Sequence, residues 1–220
     1  MSTGLPIDLI LFAMVAAFLV LRLRSVLGRR TGFERPQGET PPGVAQPVPA
    51  REAEQPPAQA GLPARALPDP RSPAGQALVN IRGMDPSFDP AAFLGGAEGA
   101  FRMIVQAFAA GDRQTLKDLL SEESFAGFDQ AISAREIAGE TQRTELRAIN
   151  DLAIESAELR GSVADITVRI VSDQVNMTTA KDGSISAGAE AVTEITDLWT
   201  FQRDIRASDP TWKLVGTRSA

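Results

Sequence analysis

Asp165, Asp173 and Asp197 are the carboxylates that alternating patterning places on strands. Arg203, beside Asp204, lies between the chain's two tryptophans, Trp199 and Trp212. A carboxylate can work as a general acid or base, and an arginine can hold an anionic or carbonyl group. Other chemistry is thinly supplied. The 220 residues contain no cysteine, histidine or tyrosine. Imidazole, thiol and phenol are therefore unavailable as catalytic groups or metal ligands, and disulfides are excluded. The three aspartates show no paired spacing, which argues against a carboxylate dyad. The reading is a protein without catalytic residues, metal or cofactor.

Whatever Arg203 does depends on the strands that carry it. From about Thr144 the apolar period is two, and "LAIESAELRGSVADITVRIVSDQV" reads as two strands joined at Gly161-Ser162. Ala164, Ile166, Val168 and Ile170 share one face. The phase slip from Leu152 and Ile154 to Ala157 and Leu159 calls for a β-bulge near Glu155-Ser156. A third strand is expected from about Ala189 to Ile205, and a fourth after Ser208-Asp209-Pro210. A turn over Ala207–Pro210 would set Ile205 opposite Trp212, Arg203 opposite Leu214, and Asp204 against Lys213 as an ion pair. Trp199, Phe201, Arg203, Ile205, Trp212 and Leu214 then share the inner face. An inward arginine needs a carboxylate partner or a polar cavity, and Asp165 or Asp129 are the candidates.

Helices precede the strands. Asp89 caps, Pro90 opens the first turn, and Phe88 and Phe93 form a hydrophobic staple. Phe93, Leu94, Ala97, Phe101, Ile104, Val105 and Phe108 follow at helical spacing, and Gly111 ends the helix. Asp112 and Ser121 cap a second and a third helix, the latter carrying Phe125, Phe128 and Ile132 and closing at Gly139. Three helices followed by a four-stranded antiparallel meander read as α+β.

Upstream, Leu5–Leu23 is almost wholly apolar, broken only by Pro6, Asp8 and Arg22, and Arg24, Arg29 and Arg30 follow it. About 19 residues at about 1.5 Å each span a bilayer core. Arginines after the span place the following bulk in the cytoplasm. A cleaved signal peptide would carry its positive charge before the apolar stretch, and none stands there. Eleven prolines between Pro36 and Pro73 mark a disordered tether. "ALVNIRGMD" (Ala77–Asp85) is more apolar and could be a short helical lead-in. The expected divisions are a transmembrane anchor over 1–30, a proline-rich linker over 31–86 and an α+β domain over 87–220. Residues 88–220 hold 13 basic and 21 acidic side chains, a net of −8. An acidic domain repels phosphate, so nucleic acid is not an expected partner.

"DLWTFQRD" with "DPTWKL", supported by Phe93–Asp112 and by "FDQAISAR" (Phe128–Arg135), resembles one mitochondrial family. It is that of subunit forty-four of the translocase of the inner mitochondrial membrane, with its bacterial relatives. Thr211 stands where the family often has Asn. The resemblance implies a fold similar to nuclear transport factor two, with a sheet wrapped on helices around a hydrophobic cavity. It also implies a membrane-bound scaffold. The mitochondrial relatives recruit the matrix chaperone and touch cardiolipin. This chain has a proline-rich segment in place of the long chaperone-binding region, so an import-motor role does not carry over.

The expectation is a single-pass protein of a bacterial inner membrane, in contact with the bilayer through its N-terminal helix. Its domain would be a scaffold for a protein partner, in protein translocation or membrane biogenesis, or would hold a lipid or apolar ligand. Phe101, Val105, Phe108, Phe128, Trp199, Phe201, Arg203 and Trp212 are the candidate cavity and partner-binding residues. The alternative is a small-molecule or enzymatic domain of isomerase or dehydratase type using a cavity carboxylate.

Overall fold

The computed structural model describes residues 64–219. The expected span at 1–30 and most of the proline-rich segment lie outside the described residues. Among the described residues no helix is long and apolar enough to cross a membrane.

Among the described residues there are four helices: α1 (Pro73–Met84), α2 (Pro90–Ala110), α3 (Arg113–Leu119) and α4 (Glu122–Ala138). The strands are β1 (Ala64–Ala66), β2 (Thr141–Arg160), β3 (Val163–Thr179), β4 (Ile185–Asp204) and β5 (Lys213–Ser219). They form one sheet in the order β1-β2-β3-β4-β5, antiparallel except where β1 runs parallel to β2. The α+β class stands. The expected four-stranded antiparallel sheet is corrected to five mixed strands, and three helices to four.

Both additions lie upstream of the expected boundary at residue 87. The Ala77–Asp85 lead-in is the second half of α1, which Ser72 caps by accepting the Gly75 N–H at 3.0 Å. Leu78 and Ile81 of α1 are buried in the common core. Two aliphatic side chains that stand among prolines thus pack α1 into the same core as the elements after Ser87. The other helix signals hold. Asp89 accepts the Ala91 N–H at 2.8 Å, and the rings of Phe88 and Phe93 lie 6.1 Å apart. Gly111 and Gly139 end α2 and α4 in the left-handed conformation, at φ 74° and 69°, which a side chain would resist.

The β2–β3 hairpin turns at Gly161-Ser162, and the expected bulge falls between Ile154 and Ser156. The β4–β5 register differs from expectation. Phe201 faces Leu214 and Gln202 faces Lys213, a slip of two residues. β4 ends at Asp204 and β5 starts at Lys213, because two aspartates prolong the connection. Asp204 accepts the Arg206 N–H at 3.0 Å, and Asp209 accepts the Thr211 N–H at 2.9 Å. At these two pairs the even slip keeps the side chains on their expected faces, and a bulge between Thr200 and Phe201 reduces the slip to one residue beyond, where Trp199 faces Thr217. The slip does cancel the Ile205–Trp212 pairing and the Asp204–Lys213 ion pair. Lys213 Nζ instead donates to the Asp118 carbonyl at 2.5 Å.

Candidate functional site

The inner face of β3 changes character along its length. Ala164, Ile166, Val168 and Ile170 are fully buried and aliphatic. Ser172 and Gln174 continue the same face and are also buried, at 0% and 4% exposure. Gln174 Nε2 donates to Ser172 Oγ at 2.9 Å, and Asn176 Nδ2 donates to Gln174 Oε1 at 3.2 Å. Across the strand, Asn176 faces Thr144, whose hydroxyl accepts from Gln142 Nε2 at 3.3 Å. Gln142 Oε1 in turn accepts from the Arg135 guanidinium of α4. One polar ladder thus runs from Arg135 to Ser172.

Over the aliphatic half lies an aromatic column. Phe101 packs on Trp199 at 4.7 Å, and Trp199 approaches Phe201 at 6.4 Å. Phe93 meets Phe201 at 6.0 Å and Trp212 at 4.9 Å. Phe101, Trp199 and Phe201 are buried, and Trp212 is half-buried at one end of the column. Val105, Phe108 and Phe128 sit at the other end, half-buried, with the Phe108 and Phe128 rings 5.1 Å apart. Arg135 stacks over Phe108 and donates to its carbonyl at 2.8 Å, capping the end of α2. The eight candidate residues therefore do not line one cavity. Phe101, Trp199, Phe201 and Trp212 join Phe93 in a packed column, Phe108 and Phe128 form a separate half-buried pair, Val105 is a half-buried aliphatic residue, and Arg203 is paired with Asp85.

Arg203 points inward, opposite buried Ala164. Its partner is neither Asp165 nor Asp129. Arg203 Nη1 donates to Asp85 Oδ2 at 3.0 Å, with side-chain exposures of 14% and 13%. Asp85 follows α1 and was masked in the sequence by the apparent linker. Its carboxyl is held below its usual range, first by the Ser87 hydroxyl and further by the Ser87 N–H and Arg203. Asp165 is engaged by Arg160 and Gln202, and Asp129 by Arg113 at 2.6 Å. Arg203 Nε is buried without a partner among the described residues. The pair ties the α1–α2 connection to the end of β4.

Two shallow, open clefts lie on the surface. One of about 280 Å³ lies on the outer sheet face, lined by Ser156, Glu158, Asp165, Thr167, Thr200 and Gln202 among others. The other, about 250 Å³, lies beside the β4–β5 connection and includes Arg203 and Lys213. Asp197 is the one strand aspartate of the three on the inner face, opposite Ile170. Burial pushes its carboxyl up to about 6, against a weak 3.5 Å hydrogen bond from Ser219. Among the described residues no cluster of three acidic groups could hold a metal ion.

Residues 74–219, about two thirds of the chain, match the family profile described as the Tim44-like domain. The chain belongs to the Tim44-like domain family. Its matched region takes in α1 and the Arg203–Asp85 pair, and leaves β1 outside. Among solved structures, the intermembrane-space region of the chloroplast protein ARC6 is similar over 61% of this chain and 98% of its own. Its identity is 12% and its TM-score 0.44. A de novo designed β-sheet protein is similar over 59% of this chain and 90% of its own, at 13% identity and a TM-score of 0.30. No curated protein matches the chain. The polar ladder of this Tim44-like domain was missed in the sequence. Its signal was available: the alternation Ile170, Ser172, Gln174, Asn176 keeps the phase of the core face while its chemistry changes.

Proposed function

We propose that the chain is a membrane-anchored scaffold or adaptor whose Tim44-like domain binds a protein, peptide or lipid partner, in protein translocation or membrane biogenesis. The observation that carries this reading is the split inner face. An apolar pair, Phe108 and Phe128, stands half-open beside a ladder of amides and hydroxyls. That combination suits a chain that offers apolar groups and backbone or headgroup polar groups together. Family membership supports a scaffold reading. The anchor is the Leu5–Leu23 span, with the domain on the cytoplasmic side of a bacterial inner membrane.

The test is site-specific photocrosslinking in membranes. A photoreactive residue at Phe108 or Phe128 should capture a discrete partner or lipid, while one at Val192, on the far arm of β4, should not. Equal labelling from the two places would sink the inner-face reading. Protease added outside intact spheroplasts should leave the domain uncut, and digestion there would overturn the topology.

The carboxylate of a catalytic alternative would be Asp197. Its raised pKa fits an acid or base near neutrality. Ser219 is its hydrogen-bond partner, and neither ionic nor cationic groups are among the causes acting on it. Turnover of a small carbonyl compound, lost in Asp197→Asn, is what this alternative requires.

A further inference from the structure

β1 is the weakest joint in the sheet. It pairs with β2 over three positions, Ala64 with Asp151, Arg65 with Leu152 and Ala66 with Ala153. The neighbouring β2–β3 pairing runs the whole length of β3. Arg65 and Ala66 are exposed. The side-chain contact that fastens β1 is Arg65 Nη2 donating to Glu98 Oε2 at 2.9 Å. Glu98, on α2, is only 14% exposed, whereas Arg65 is 42% exposed. Arg102 donates to the other oxygen of Glu98 at 3.0 Å. Burial works against the Glu98 charge, but the hydrogen bonds from Arg65 and Arg102 together hold its carboxyl below the usual range. A Cβ at Gly95, one turn before Glu98, would come within 3.7 Å of Arg65 Nη1.

We propose that β1 is a releasable edge strand. The β2 edge at Asp151–Ala153, with Gly95 and Glu98 beside it, is a strand-addition site filled in cis by Ala64–Ala66. When β1 leaves, the site takes an extended segment of another polypeptide carrying an arginine between small residues. Backbone groups of the β2 edge supply the ladder, and Glu98 supplies the selection for arginine. Three ladder positions and one partly exposed ion pair cannot hold a strand as firmly as a core does, so local opening is frequent. Arg102 keeps Glu98 neutralised while the site is empty, which lowers the cost of opening. β1 also lies outside the region matched by the family profile. The site is separate from the inner face and stands whatever that face binds.

Hydrogen exchange on the full chain tests this. The β2 amides facing β1 should exchange at least about 100-fold faster than those of Ile166–Ile170 in β3. Arg65→Ala should speed the β2 exchange a further tenfold or so and leave the melting temperature unchanged, because Arg65 is a surface residue. A synthetic peptide with the sequence Leu62–Pro68, added in excess to Arg65→Ala, should restore the protection. The same peptide with alanine for arginine should not. Exchange at the β2 edge as slow as in β3, or unaltered by Arg65→Ala, would show β1 to be a fixed part of the fold. Protection that returns with rising protein concentration and ignores the peptide would overturn the proposal in favour of exchange between copies.

Discussion

The two halves of the inner sheet face share strands, helices and pleat, yet they are built for different ends. From Ala164 to Ile170 every inward group of β3 itself is aliphatic, Phe101, Trp199 and Phe201 close over them, and the charged groups Arg203 and Asp197 on β4 mark the two ends of this half. From Ser172 to Asn176 the inward groups of β3 are hydroxyls and amides that bond one another, flanked by the aliphatic Ile149 and Leu146 of β2. Burial of the first half supplies the free energy of folding. The second half adds little net stability, since its hydrogen bonds replace bonds to water. A fold that sought stability alone would continue the aliphatic ladder. The polar stretch is therefore where recognition is to be sought.

The comparison is broken most severely by cutting the first half's support. A chain starting at Ser87 lacks Leu78 and Ile81, and lacks the Asp85 partner of Arg203. Each lost aliphatic side chain costs about 2–5 kcal/mol, against a total stability of about 5–15 kcal/mol. Such a chain is expected to show no cooperative thermal unfolding, whereas one starting at Gly61 should. A sigmoidal melt from the shorter chain would mean that α1 is an accessory.

Phe101→Ala strikes the same half from inside. Phe101 is fully buried against Trp199, and its loss should cost about 3–5 kcal/mol by denaturant titration. A cost below 1 kcal/mol would show that the column is loosely packed. Gln174→Leu tests the second half. It strands Ser172 Oγ and Asn176 Nδ2 without their partner, and the expected loss is about 1–3 kcal/mol. Adding Ser172→Ala should recover part of that loss, because the buried hydroxyl then needs no partner. If the double variant is worse than the single, the ladder is held by something other than these bonds.

The contrast between halves also explains what the sequence disclosed. Caps, staple and stops at Asp89, Phe88–Phe93, Gly111, Ser121 and Gly139 were legible because each is a local rule acting within a few residues. The inward side of β4 was legible because alternation survives an even slip. Arg203 was correctly marked as needing a carboxylate, but Asp85 is 118 positions away, in a stretch whose prolines concealed a core helix. Long-range partners carry no local signal. The motifs around Trp199 and Trp212 disclosed the family while serving the packed half, so the residues most legible as a signature were not those of the open end.

Asp197 lies on the seam, beside Ile170, the last aliphatic residue, and one alternation from Ile195, which faces Ser172. It offers the finest test of the division. Burial raises its carboxyl from 3.8 to about 6, so the folded state holds the proton more tightly than the unfolded chain does. The contribution of Asp197 to stability is then greatest below about pH 4, falls as pH rises from about 4 to about 6, and stays reduced above. Asp197→Asn removes the charge and keeps a polar group beside Ser219. Above pH 6 the variant should be more stable than the parent by about 1–2 kcal/mol, allowing for partial solvent access, and the two should converge near pH 4. Denaturant titrations at pH 4, 5, 6 and 7.5 give the comparison. If the variant is less stable than the parent at pH 7.5, the Asp197 charge is met by a partner, and the seam belongs to the polar half rather than to the core.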